Sequence, residues 1–148
     1  MQATELFQDL VRVETRLYNA ADARLRAEHD LALGQFEFLT LIEQVPNCRV
    51  QDIARDIAIT VGATSKAVDR LERAGLCRRE ANPGDRRSSI LVLTDLGREK
   101  LEAARPTLER ELVALTRGVA GLEDLLRGSE MLQAMRVSLE RRGEEPEG

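Results

Sequence analysis

One stretch of this 148-residue chain departs from helical periodicity, and it constrains the fold more than any other. Leu76–Ala81 and Ser88–Leu93 read as two short strands. Between them lie the turn formers Asn82-Pro83-Gly84-Asp85, followed by Arg86-Arg87. The pattern predicts a β-hairpin with a basic tip. The residues just before it are helical. Val50–Ile57 reads as a short helix with Ile53, Ala54 and Ile57 inward, and Ala58-Ile59 as a tight connection. Thr60 is placed to cap a further helix reaching about Arg73, with Val61, Thr64, Val68 and Leu71 on its buried side and Gly75 past its end. Two short helices joined by a short turn make a helix-turn-helix. With the hairpin behind it, the arrangement is a winged helix-turn-helix.

The remainder reads as helix. From Glu5 to His29 the apolar positions Leu6, Leu10, Val13, Leu17 and Ala21 recur at steps of three and four, with Thr4 as the expected N-cap. Asp30–Gly34 is a break. Gln35–Val45 carries Phe36, Leu39, Leu41 and Ile42 as core positions, and Pro46-Asn47 stops it. Thr94 is placed to cap a helix from Asp95 to about Arg117, striped by Leu101, Ala104, Leu108, Leu112 and Leu115, in which Pro106 is expected to force a kink or a split. Gly118 and Gly121 interrupt the chain. Leu122–Arg142 carries Leu125, Leu126, Leu132, Met135 and Leu139, with Gly128-Ser129 as a point of bending. Gly143–Gly148 reads as a disordered acidic tail.

The expected fold is therefore mainly α with a small β-hairpin wing, a single domain over residues 1–148. Residues 35–93 form the winged lobe. Residues 5–29 and 95–142 carry more apolar stripe than one chain can cover, so the N- and C-terminal helices are expected to form the dimerisation region of a two-fold homodimer.

Composition narrows the function classes. The longest wholly apolar runs are four residues, Ile90–Leu93 and Leu112–Leu115, too short to span a membrane. Met1–Leu10 lacks the basic start and apolar run of a signal peptide. With two cysteines the chain has no disulfide framework, and a reduced, cytoplasmic setting is expected. A single histidine beside them makes a zinc site improbable, and no metal or cofactor is expected. No phosphate-binding glycine loop or Gly-x-Ser-x-Gly nucleophile motif is present, so the chain does not read as an enzyme. The formal charge is −4, yet Arg49–Arg87 holds nine basic and six acidic residues, a surplus of +3 that leaves −7 for the flanks. A basic module in an acidic protein suggests a local polyanion site.

Several stretches carry a resemblance. Leu33-Gly34-Gln35-Phe36, the helix Val50–Ile57, Val68-Asp69-Arg70-Leu71-Glu72-Arg73-Ala74-Gly75-Leu76 and, most specifically, the run from Asp85-Arg86-Arg87 through Leu93-Thr94-Asp95-Leu96-Gly97 resemble the MarR family of bacterial transcription regulators. The likeness spans about Glu5 to Arg142. It implies a homodimer that binds pseudo-palindromic double-stranded DNA operators, usually as a repressor. Family members often release DNA on binding small phenolic or lipophilic molecules, or on cysteine oxidation.

On that reading the DNA-contacting residues are Thr60, Gly62, Ala63, Ser65, Lys66, Arg70 and Arg73 of the recognition helix, with Arg86 and Arg87 of the wing. The helix N-terminus points N–H groups at phosphate. Ser65 can exchange hydrogen bonds with base edges, Ala63 can touch a thymine methyl, and Gly62 permits close approach. Arg87 matches the arginine that family wings insert into the minor groove, and Asp85 is expected to orient the wing as a salt-bridge or turn partner. Pleat alternation on a ribbon would let only one of the adjacent Arg86 and Arg87 enter the groove. Few bidentate base readers are present, so selectivity is expected to lean partly on DNA shape.

Cys48 and Cys77 read as small, inert residues, because the family's peroxide sensors carry their cysteine near the start of the first helix and none lies there. His29 is expected to serve as a surface or capping residue. The family's ligand pocket would place Tyr18, Phe36 and Phe38 as candidate lining, with core packing as the plainer role. Two other functions compete: a protein-interaction winged helix without DNA binding, against which the paired arginines at the tip argue, and non-specific architectural binding.

Overall fold

The computed structural model describes residues 2–119 and 121–144. The order is α1 (Ala3–His29), α2 (Leu33–Gln44), α3 (Val50–Ile57), α4 (Val61–Arg73), β1 (Cys77–Ala81), β2 (Ser89–Leu93), α5 (Asp95–Thr116) and α6 (Leu122–Glu144). The strands pair antiparallel, from Cys77 opposite Leu93 to Ala81 opposite Ser89. The chain divides into two compact units, Met1–Leu112 and Val113–Gly148.

The first unit is built on one apolar core. Leu25 of α1, Leu39 and Ile42 of α2, Ile53 of α3, Val68 and Leu71 of α4, Leu91 of β2 and Leu101 of α5 are all buried in it. The elements begin and end where backbone groups find partners. The Thr60 hydroxyl oxygen accepts the Ala63 N–H at 3.1 Å and starts α4. Gly75 follows α4 at φ 74, a left-handed conformation that favours glycine. Thr94 joins the wing to α5: its N–H donates to the Leu76 carbonyl at 3.2 Å, and its hydroxyl oxygen accepts the Gly97 N–H at 3.0 Å. Here α5 lies against the chain so closely that a Cβ on Gly97 would stand 1.9 Å from the Leu76 carbonyl oxygen. The wing is also tied to the loop before α3, where the Leu91 N–H donates to the Cys48 carbonyl at 2.7 Å.

Several expectations are corrected. The N-cap of α1 is Gln2, not Thr4, because the Gln2 N–H is taken up by the Glu5 carboxylate at 3.2 Å. The second helix starts at Leu33 instead of Gln35: the Leu33 N–H donates to Asp22 Oδ1 at 2.8 Å and the Ala32 N–H to Gln35 Oε1 at 2.9 Å. These bonds satisfy donors that a tight break would otherwise leave to solvent. Pro106 does not split α5. Pro106 and Glu102, whose carbonyl has no N–H donor at Pro106, both lie on the solvent face, where water can replace the bond. Val61 is not buried; it is 52% exposed.

The second unit contains α6, unbroken across Gly128-Ser129 and continuing to Glu144. Leu125, Leu126, Leu132, Met135 and Leu139 are all exposed on it. Of the expected acidic tail, residues 145–148 lie outside the described residues.

Candidate nucleic-acid interface

The recognition helix is sorted by its own period. Thr64, Val68 and Leu71 face the core, with the buried Thr64 hydroxyl donating to the Thr60 carbonyl at 2.9 Å. Gly62, Ala63, Lys66, Arg70 and Arg73 lie on the outward side, and Ser65 is half-buried beside them. Among the described residues, nothing beyond the helix's own backbone stands within 4 Å of where a Gly62 Cβ would be, so the backbone there is open to close approach.

At the wing tip the Gly84 N–H donates to Asn82 Oδ1 at 3.0 Å, and the Asn82 amide donates to the Ser88 hydroxyl at 3.0 Å. Asp85 takes the turn role of the two foreseen for it: its Oδ1 accepts the Arg87 backbone N–H at 2.9 Å. Its carboxylate thus holds the backbone of the arginine and leaves the guanidinium free. Arg86 and Arg87 both lie in the turn before β2 and both are exposed. Neither sits on the paired ribbon, so pleat alternation does not choose between them, contrary to expectation.

The ion pairs divide the nine cations of residues 49–87 into two sets. Arg49 and Arg55 meet Asp52 at 3.3 and 3.1 Å. Arg78 meets Glu80 at 2.7 Å, and Arg79 bridges Asp69 at 2.9 Å and Glu72 at 2.5 Å. Burial works to lower the Arg79 pKa, but the hydrogen bonds that its guanidinium donates to Asp69 and Glu72 outweigh it and raise the value, so this side chain is held as a cation. Lys66, Arg70, Arg73, Arg86 and Arg87 have no carboxylate partner among the described residues. The unpaired positive charge of the lobe thus sits on the outward side of α4 and at the wing tip. These are the two elements that a winged helix presents to a duplex.

A cleft of about 420 Å³ opens between α1, α2 and α4. Tyr18, Asp22, Arg26, Phe38, Ala67 and Arg70 contribute to its lining. Tyr18 and Phe38 are thus brought to it. Phe36 is not; it packs, partly buried, against the core to which Phe38 also belongs. Burial, reinforced by the Glu37 carboxylate, raises the Tyr18 pKa, keeping the phenol a neutral donor. Arg26 is tied to Asp22 at 2.7 Å. Arg70, assigned to DNA from sequence alone, also lines the cleft, a double placement that only the packing of α4 on α1 and α2 could reveal.

Neither cysteine is placed for redox chemistry. Cys48 and Cys77 are buried, and burial pushes both thiols up to about 11. His29 Nε2 pairs with the Thr107 hydroxyl at 2.8 Å, and that hydroxyl donates to Glu28 at 3.2 Å, tying α1 to α5.

The MarR family model matches residues 31–89. The uncharacterized HTH-type transcriptional regulator YdcH of Bacillus subtilis strain 168 is 32% identical over 110 residues, covering 72% of this chain and 75% of that protein. A second regulator of that organism, the uncharacterized YdgJ, is 27% identical over 93 residues, 63% of this chain and 57% of its own length. Among solved structures, the transcriptional repressor CouR bound to a 23-mer DNA duplex is 30% identical. It superposes with a TM-score of 0.79, covering 92% of this chain and 98% of that one.

Proposed function

This chain belongs to the MarR family of DNA-binding transcriptional regulators, and from that premise we propose that it is a ligand-responsive repressor. It binds pseudo-palindromic operators as a cytoplasmic homodimer. The observation that carries the reading is the sorting of charge. The lobe's free cations are those of α4 and the wing tip, while its other arginines are neutralised within the fold. A duplex therefore meets five cations per lobe, each able to displace a counterion from phosphate.

In this reading Thr60, Gly62, Ala63, Ser65 and Lys66 bring the start of α4 to the major groove. Arg70 and Arg73 meet the backbone. Arg86 and Arg87, the latter held at its backbone by Asp85, meet the narrower groove beside it. Dimerisation draws on the apolar stripe of α1 (Leu6, Leu10 and Leu17) and the exposed apolar residues of α6. Two copies present two lobes to two half-sites. The cleft lined by Tyr18, Phe38 and Arg70 takes the effector. A small phenolic or lipophilic molecule seated there touches the recognition helix through Ala67 and Arg70, so occupancy and operator binding are coupled.

The test is a gel shift with the duplex upstream of the protein's own gene, titrated with unrelated competitor DNA. A shift that survives excess competitor supports the reading. A shift that disappears in proportion to competitor indicates architectural binding, and no shift removes DNA from the function. Light scattering should give twice the 16.5 kDa chain mass. Leu139→Glu should reduce both the dimer and the shift.

A further inference from the structure

The first two turns of α4 offer little polar chemistry to a base edge once the fold has taken its share. The Thr60 hydroxyl oxygen caps Ala63, and the Thr64 hydroxyl is buried against the Thr60 carbonyl. Gly62 has no side chain. Ser65 is half-buried, and Lys66 is the first long polar group. The side chain that does stand in solvent at the helix tip is apolar: Val61 is 52% exposed. It lies one turn before Ser65 on the same side of the helix, since residues four apart share a face. Ile59, in the turn just before, is 39% exposed, and Ala63 is exposed beyond it. An apolar patch thus occupies the end of the recognition helix, on the element that also carries the unpaired cations Lys66, Arg70 and Arg73.

A duplex offers such a patch one matching feature. In the major groove, the 5-methyl group of thymine is the apolar element of the base-pair code, which is otherwise written in donors and acceptors. We propose that Val61 is a specificity-determining residue that selects thymine by packing on its 5-methyl group. The inference rests on the DNA-binding reading above and adds a base preference to it. It also accounts for how a helix with few hydrogen-bonding readers discriminates sequence. Burying the valine against a methyl removes apolar surface of both from water, whereas cytosine has only a hydrogen at C5 and carries beside it, in place of thymine O4, an amino donor that the isopropyl group cannot pair.

The experiment uses the full chain and a duplex recovered by repeated selection from a random pool. Thymines of that duplex are replaced one at a time by deoxyuridine, which removes the methyl and keeps the pairing. The parent protein should bind about four-fold more weakly when one thymine of a half-site is replaced, and about sixteen-fold more weakly when the symmetric pair is replaced. Val61→Ala, which removes the valine from both protomers, should bind the thymine duplex more weakly by about the sixteen-fold of the symmetric pair. It should no longer distinguish thymine from deoxyuridine at that position. Because Val61 is exposed, the variant should keep the parent's circular dichroism and dimer mass. The proposal is overturned if no thymine methyl matters, if Val61→Ala retains the full deoxyuridine effect, or if its weaker binding follows from dimer dissociation. If selection enriches no duplex at all, the DNA-binding reading fails and this one with it; if a duplex is enriched and methyl removal has no effect, only this one fails.

Discussion

The hairpin carries two pairs of adjacent arginines with opposite fates. Arg78 and Arg79 on β1 are consumed by the fold, the first by Glu80 and the second by Asp69 and Glu72 of α4. Arg86 and Arg87 at the tip have no acidic partner among the described residues, and Asp85, the nearest acid in sequence, spends its carboxylate on a backbone N–H. The two pairs are alike in composition, and each is a side-by-side doublet within one short hairpin. The difference lies in the three-dimensional neighbours. A cation already paired gives little to a phosphate, because the gain must be set against the ion pair it leaves. An unpaired cation enters the field of the duplex without that cost and releases a counterion.

The contrast between the pairs should show most strongly at Arg87. Arg87→Ala should cost ~1–3 kcal/mol per half-site, so a symmetric dimer should bind its operator roughly one to four decades more weakly with the fold intact. Operator titration with circular dichroism as the folding control measures both. Arg79→Ala should behave in the reverse manner. It strands Asp69 and Glu72 and should lower stability by ~1 kcal/mol, the discounted value of a partly exposed pair. That is a fall in melting temperature of about 2–4 °C. Affinity should fall as well, because two bare carboxylates on α4 then face phosphate, but by less than for Arg87→Ala. Asp85→Ala sharpens the contrast further. It removes the N–H acceptor that sets Arg87, at ~0.5–1.5 kcal/mol for one hydrogen bond, and also removes a negative charge. Affinity should fall several-fold while the salt dependence stays as steep as the parent's. The smallest effect belongs to the cysteines. With thiols pushed up to about 11, only about one in a thousand is thiolate at pH 8. Operator binding should be unaffected by hydroperoxide, and a Cys48→Ser/Cys77→Ser double variant should bind as the parent does.

The scaffold of the lobe is legible in the sequence because its signals are local. Thr60 and Thr94 cap, Gly75 terminates, and Asn82–Asp85 turns, each acting on backbone within a few residues. Boundaries move where a distant group intervenes, as where Asp22 on α1 captures the Leu33 N–H and draws α2 forward. The interface is legible as a set of exposed polar positions, but which cations are free is not. Arg79 finds its partners seven and ten residues back, across the end of α4, and no periodic pattern reports such a pairing. Val61 escapes the pattern for a related reason. Its spacing to Thr64, Val68 and Leu71 puts it on the core side, but the first turn of a helix has no preceding turn to cover it, and here it projects into solvent. Arg70 belongs to both the cleft and the outward face, a fact that depends on how α1 and α2 pack beside α4.

The most direct test is the slope of log affinity against log salt on the selected duplex, compared for Arg87→Ala and Arg78→Ala. Each phosphate that goes unneutralised should make the slope shallower by about 0.9. For Arg87→Ala, with two copies of the site in the dimer, the slope should be shallower by about two units, and for Arg78→Ala it should equal the parent's. Equal changes in the two variants, or a change confined to Arg78→Ala, would contradict the claim that the arginines left unpaired by the fold are the ones that meet DNA.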